Sequence, residues 1–186
     1  MCIMLAVFMG KVLKKKTAVA GDEVTYSLML RQMQKAAAIQ HKGIASRHAY
    51  SMDGIDYYCG IRDEDIGILR QKYDVIILDI SFENTFDNTN VTFARMVSRL
   101  SACDEKILAG SMLPWKSREC EKKMERIERF LDIRGLKMVT LAACDKEAVR
   151  IIKKHGVEVV LIPFERNPFV ISGENLRSFL ELLKIT

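Results

Sequence analysis

The segment Asp74–Ile80 (DVIILDI) constrains the fold most strongly. Its four consecutive apolar residues, Val75 to Leu78, include three β-branched ones. A run with no polar alternation reads as a strand buried on both faces, the situation of a central strand in a parallel sheet. Parallel neighbours need long crossovers, so helices must separate the strands. The rest of the chain supplies that alternation. Strands are expected at 16–20 (KTAVA), 55–59, 106–111 (KILAGS), 137–142 (KMVTLA) and 157–162 (VEVVLI). Helices are expected at 2–15, 25–39, 63–72, 88–101, 116–131, 145–155 and 174–183. Asp63, Glu64 and Asp65 put negative charge into a first turn, Gly156 ends a helix, and Ser172 caps the last one. Residues 40–60 carry no clear period and are punctuated by Gly43, Gly54 and Gly60. No repeat and no Pro/Gly-rich linker divides the chain. The expectation is a single α/β domain over residues 1–186: three layers, Rossmann-like, a mainly parallel sheet with strand 74–80 central and helices on both faces.

Composition excludes several classes. Of 186 residues, 49% are hydrophobic and 28% charged, which is a globular rather than a disordered balance. The net charge of +5 is interspersed and gives nucleic-acid binding no support. Cys2, Cys59, Cys103, Cys120 and Cys144 form no CxxC or zinc spacing, and read as reduced, mostly buried thiols of a cytoplasmic protein. The opening MCIMLAVFMGKVLKKK sets its apolar run before its basic residues, the reverse of a signal peptide, and is too short to span a bilayer. It reads as a buried helix ending in solvated lysines. His41, His48 and His155 lack metal-ligand spacing and read as solvated or capping. The charged stretch 116–130 reads as a solvated helix face, and Trp115 as a packing residue. No Ser-His-Asp or Cys-His constellation for nucleophilic catalysis is expected.

Ligands of open parallel sheets lie at the carboxyl ends of the strands. The residues that follow the expected strands are Asp22 and Glu23, Asp79, Ser111, Cys144 and Asp145, and Glu165 and Arg166. Asp79 stands out because it ends an apolar run, where a carboxylate can hold Mg²⁺ directly or through water. A strand-end aspartate that caps the next loop has the same pattern.

The stretch KYDVIILDIS resembles the Walker B strand of the MinD/ParA group of P-loop ATPases, including the Tyr-Asp that opens it. ACDEKILAGSMLPWKSRECEKKMERIERF is similar to that family's strand, proline turn and long helix. VEVVLIPFERNPF resembles its late strand and the following turn near the adenine pocket. MCIMLAVFMGKVLKKKTAVA looks like the helix after the P-loop and the strand that follows. The resemblance covers essentially the whole chain. It implies ATP and Mg²⁺ as the family's cofactors, with Asp79 as metal ligand and Asp22 beside the nucleotide. No GxxxxGK[ST] occurs in the sequence, so the first strand and phosphate loop would lie before Met1. Without that loop no cradle of N–H groups and no lysine receives the phosphates. The expectation is a truncated or degenerate switch domain with no bound cofactor and no ATP hydrolysis. It would act through a protein partner or as a homodimer.

A receiver-like signalling domain is the rival. Asp22 and Glu23 would then bind Mg²⁺, Asp79 would accept a phosphoryl group, and Ser111 would be the switch hydroxyl. That reading needs a lysine at the end of strand 137–142, whereas Lys137 stands at its start.

Overall fold

The computed structural model describes residues 1–21, 37–38, 48–80, 90–133, 136–143 and 145–185. The chain forms two compact units, Met1–Asn88 with Pro168–Val170, and Thr89–Asn167 with Ile171–Thr186.

In the first unit, α1 (Cys2–Val7) runs on as a π-helical turn, Phe8–Val12. The strands are β1 (Thr17–Gly21), β2 (Ala37–Ala38), β3 (His48–Met52), β4 (Ile55–Cys59) and β5 (Val75–Leu78), with α2 (Asp63–Lys72) between the last two. They form one sheet in the order β2-β3-β4-β1-β5. β1 pairs parallel with both β4 and β5, while β2, β3 and β4 pair antiparallel.

Side-chain alternation sorts the two faces of this sheet. Thr17 and Ile55 are cross-strand partners on one face. A Cβ on Gly10 would stand only 3.0 Å from Ile55 Cγ1, so the helix that begins with α1 rides close on that face. On the other face Ala18, Ala20 and Tyr58 cluster with Ile61, Leu69 and Tyr73, and Ile66, Ile76 and Leu78 pack against them. The small alanines leave room for the tyrosine rings, and α2 closes this side. Helices thus cover both faces. Asp74 ties the strands together at their start, its carboxylate accepting the Lys16 N–H at 2.9 Å. Ile3 to Phe8 are buried and Lys14 to Lys16 exposed, as the charge order of the first helix requires.

In the second unit, α3 (Asn90–Ser101), β6 (Ile107–Met112), α4 (Pro114–Glu128), β7 (Lys137–Ala143), α5 (Asp145–His155), β8 (Glu158–Leu161) and α6 (Gly173–Leu183) follow in turn. The three strands form a wholly parallel sheet, β6-β7-β8. Met112, Met124, Met138, Ile151, Ile162 and Phe179 are among its fully buried side chains. Pro114 opens α4 where a missing N–H is harmless. Gly156 takes φ +66° just after α5, and Ser172 Oγ accepts the Asn175 N–H at 3.2 Å at the start of α6.

The α/β class and the parallel pairing of β1 with β4 and β5 and of β6, β7 and β8 match expectation; the antiparallel β2-β3-β4 part of the first sheet was not expected, and two further details differ. The strand expected to be central is Val75–Leu78 and stands at the end of its sheet's order, with β1 as its neighbour among the described residues. Ala37 and Ala38 belong to a strand rather than to the end of helix 25–39, whose other residues lie outside the described ones. Among the described residues no helix is long and apolar enough to cross a membrane.

Candidate functional site

Asp79 follows β5 directly, and its N–H donates to Ala20 O at 2.8 Å. The β1–β5 ladder therefore continues one residue beyond Leu78 and fixes the Asp79 backbone at the carboxyl end of two parallel strands. Its residue is half-buried. At the same end of the sheet, the Gly60 N–H donates to Gly21 O at 2.9 Å, and Gly60 has φ +70°. Asp22 and Glu23 follow Gly21 in sequence and lie outside the described residues, as does Cys144.

The remaining strand-end candidates belong to the second unit. Ser111 is half-buried in β6, with its N–H 3.4 Å from Cys120 Sγ and its Oγ accepting the Leu113 N–H at 3.4 Å. Glu165 Oε1 accepts the Asn167 N–H at 3.5 Å, and Arg166 is exposed. Lys137, at the amino end of β7, is buried and pairs with Glu105 at 2.8 Å. A phosphoryl-sensing lysine would stand at the opposite end of that strand.

Sequence reasoning missed the densest charged cluster, where α4 meets α5. The stretch 116–130 is not simply a solvated face: Ser117, Cys120, Glu121, Met124 and Ile127 are buried at helical spacing. Arg150 Nη1 donates to Glu121 Oε1 and Oε2 at 2.8 and 2.7 Å. Lys154 Nζ bridges Glu121 Oε1 and Glu125 Oε1 at 2.7 and 2.8 Å. Hydrogen bonds from Lys154, then from Arg150, hold the Glu121 carboxyl down to about 2. His155 is buried rather than solvated, with Nδ1 2.7 Å from Glu128 Oε1 and Nε2 3.8 Å from Glu121 Oε1. The available signal was the i, i+4 run Glu121, Glu125 opposite the basic end of helix 145–155.

A second missed network lies in the first unit. Tyr73 O–H donates to Asp56 Oδ2 at 2.5 Å, and the Tyr58 and Tyr73 hydroxyls are 2.7 Å apart. Burial pushes the Tyr58 hydroxyl up to about 12, and burial with the bond to Asp56 raises Tyr73 further. These groups lock β4 to the α2–β5 connection and hold no proton ready for transfer near neutral pH.

No protein-family model matches this chain, and no curated protein matches it. Solved structures do. The MinD cell division protein of Aquifex aeolicus superposes with TM-score 0.64 at 12% identity, over 100% of this chain and 92% of that one. The MinC:MinD cell division protein complex of Aquifex aeolicus gives TM-score 0.63 at 12% identity, over 99% and 91%. The fold is therefore an α/β one of the P-loop NTPase type. More particularly, it is MinD-like. At this identity the likeness defines the fold alone.

Proposed function

We propose that this chain is a MinD/ParA-like nucleotide-switch ATPase domain, degenerate or truncated at the phosphate loop, that acts through a protein partner, a second copy of itself included. The carrying observation is the place of Asp79. It stands one residue beyond an apolar strand, bound through its N–H to the parallel neighbour, in a MinD-like fold. From there a carboxylate can hold Mg²⁺; Asp22, the other residue of this reading, lies outside the described ones.

The donor set is too sparse for a tightly held ATP·Mg²⁺. Mg²⁺ takes one or two carboxylates and completes its shell with phosphate oxygens and water. Those phosphates need a cradle of N–H groups and a lysine, and the 186-residue sequence holds no GxxxxGK[ST] to supply them.

One structural neighbour, a complex of MinD with MinC, supports a protein partner. Sedimentation velocity with and without ATP·Mg²⁺ tests the reading. The expected result is self-association or partner binding that is indifferent to nucleotide. A change of assembly state driven by ATP would overturn it.

A further inference from the structure

We propose that Glu121, Glu125 and His155 form a binding site for a divalent transition-metal ion, held by one oxygen of each carboxylate and by His155 Nε2, with Glu128 behind the histidine. The site lies wholly within the second unit and rests on the packing of α4 against α5, so it stands or falls separately from the reading of Asp79.

Glu121 and Glu125 are one turn apart on α4 and share a face. His155 is the last residue of α5. One ligand atom from each of the three lies within 4.8 Å of the others. The deciding observation is the imidazole. Its side chain is 2% exposed, and Nε2 has no hydrogen-bond partner among the described residues. Nδ1 faces the acceptor Glu128 Oε1 at 2.7 Å, so in the neutral ring Nδ1 carries the hydrogen and Nε2 a lone pair. That lone pair looks toward Glu121 Oε1 at 3.8 Å, one acceptor facing another. A buried acceptor without a donor is unfavourable, and a cation beside Nε2 would satisfy it while sharing Glu121 Oε1, which already accepts from Arg150 and Lys154. A carboxylate holding the far nitrogen is also how metal-bound histidines are oriented.

One imidazole nitrogen with two carboxylates suits Zn²⁺, Co²⁺ or Mn²⁺ better than an all-oxygen Ca²⁺ or Mg²⁺ site. The Lys154 ammonium now bridges the two carboxylates as a single positive charge. Its side chain is 49% exposed and can turn to solvent when the ion enters. Arg150 can stay on Glu121 Oε2.

The test is titration of the full chain with Zn²⁺ by calorimetry and with Co²⁺ by absorption. The expected result is saturable binding of a single ion, with visible cobalt bands and without the near-ultraviolet charge-transfer bands of thiolate ligands. Glu125→Gln should weaken binding about tenfold or more, and Glu128→Gln about 10–100-fold through the histidine. Lys154→Met should strengthen binding by removing the competing charge. His155→Gln should abolish it. Because that variant can fail to fold, Glu125→Gln and Lys154→Met decide, each checked for unchanged circular dichroism. Three results would overturn the site: no saturable binding, thiolate bands, or equal affinity in wild type, Glu125→Gln and Lys154→Met.

Discussion

Gly110→Ala tests how closely α4 is seated on β6. A Cβ at position 110 would stand 2.6 Å from Cys120 Sγ and 2.8 Å from Met138 Cε. Met138 Cε ends a flexible chain and can swing away. Cys120 Sγ turns about a single bond on a helix, and it already faces the Ser111 N–H and Ser111 O at 3.4 and 3.6 Å. The helix must therefore lift or the thiol leave its rotamer. Overpacking of this kind costs about 1–3 kcal/mol, and the stiffer unfolded chain of alanine returns about 0.4–1 kcal/mol, leaving a net loss of about 0–2.6 kcal/mol with a mid-range value of about 1.3. With an ordinary urea dependence the unfolding midpoint falls by about 0.5–1 M at unchanged slope. Far-ultraviolet circular dichroism follows the unfolding. Adding Cys120→Ala removes the obstructing sulfur, so the double variant should lose about 1 kcal/mol less than the sum of the singles. A Gly110→Ala midpoint at or above wild type, or strict additivity, would refute the argument.

Tyr73→Phe takes the hydroxyl from between Tyr58 and Asp56 and should destabilise by about 1–3 kcal/mol in thermal unfolding. The Tyr58 hydroxyl, raised from 10 to about 12, contributes stability that is complete below pH 10 and lost as pH rises toward 12; a Tyr58→Phe variant should therefore show a shallower alkaline decline of stability. Glu121, lowered from 4.5 to about 2, gives the opposite sign: its stabilisation is complete above pH 4.5 and lost as pH falls toward 2. With Arg150 and Lys154 41% and 49% exposed, screening leaves about 1–2 kcal/mol of this, and Glu121→Gln should flatten the acid limb of the stability profile. Acetyl phosphate should leave the mass of the protein unchanged, since Lys137 pairs with Glu105 at the amino end of β7; an adduct lost in Asp79→Asn would establish the receiver reading instead.

Elements with strong local signals were legible in the sequence. Helices 63–72 and 145–155 fall on the expected residues, because an acidic first turn marks the start of one and a terminal glycine the end of the other. The β3–β4 hairpin was missed although Asp53-Gly54 is its signature. Both residues have positive φ, +54° and +78°, which matches the twist of a two-residue turn. The position of β5 was misjudged because an apolar run fixes neither the number of strand neighbours nor burial on both faces: of its four residues only Ile77 is buried. The position of Asp79 directly after β5 was legible because it depends on one strand's pattern. The Glu121–His155 cluster was not, because it depends on which helices touch: the i, i+4 pair Glu121, Glu125 was readable on α4, but its partners lie 27 or more residues away, beyond any period.

The central claim is a switch fold that, degenerate or truncated, lacks a working nucleotide site in this chain, and calorimetric titration of the chain with ATP·Mg²⁺ tests it most directly. The account predicts a Kd no tighter than about 1 mM, equivalent to about −4 kcal/mol. Micromolar binding that weakens in Asp79→Asn would contradict it, since Asp79 would then be serving a working nucleotide site.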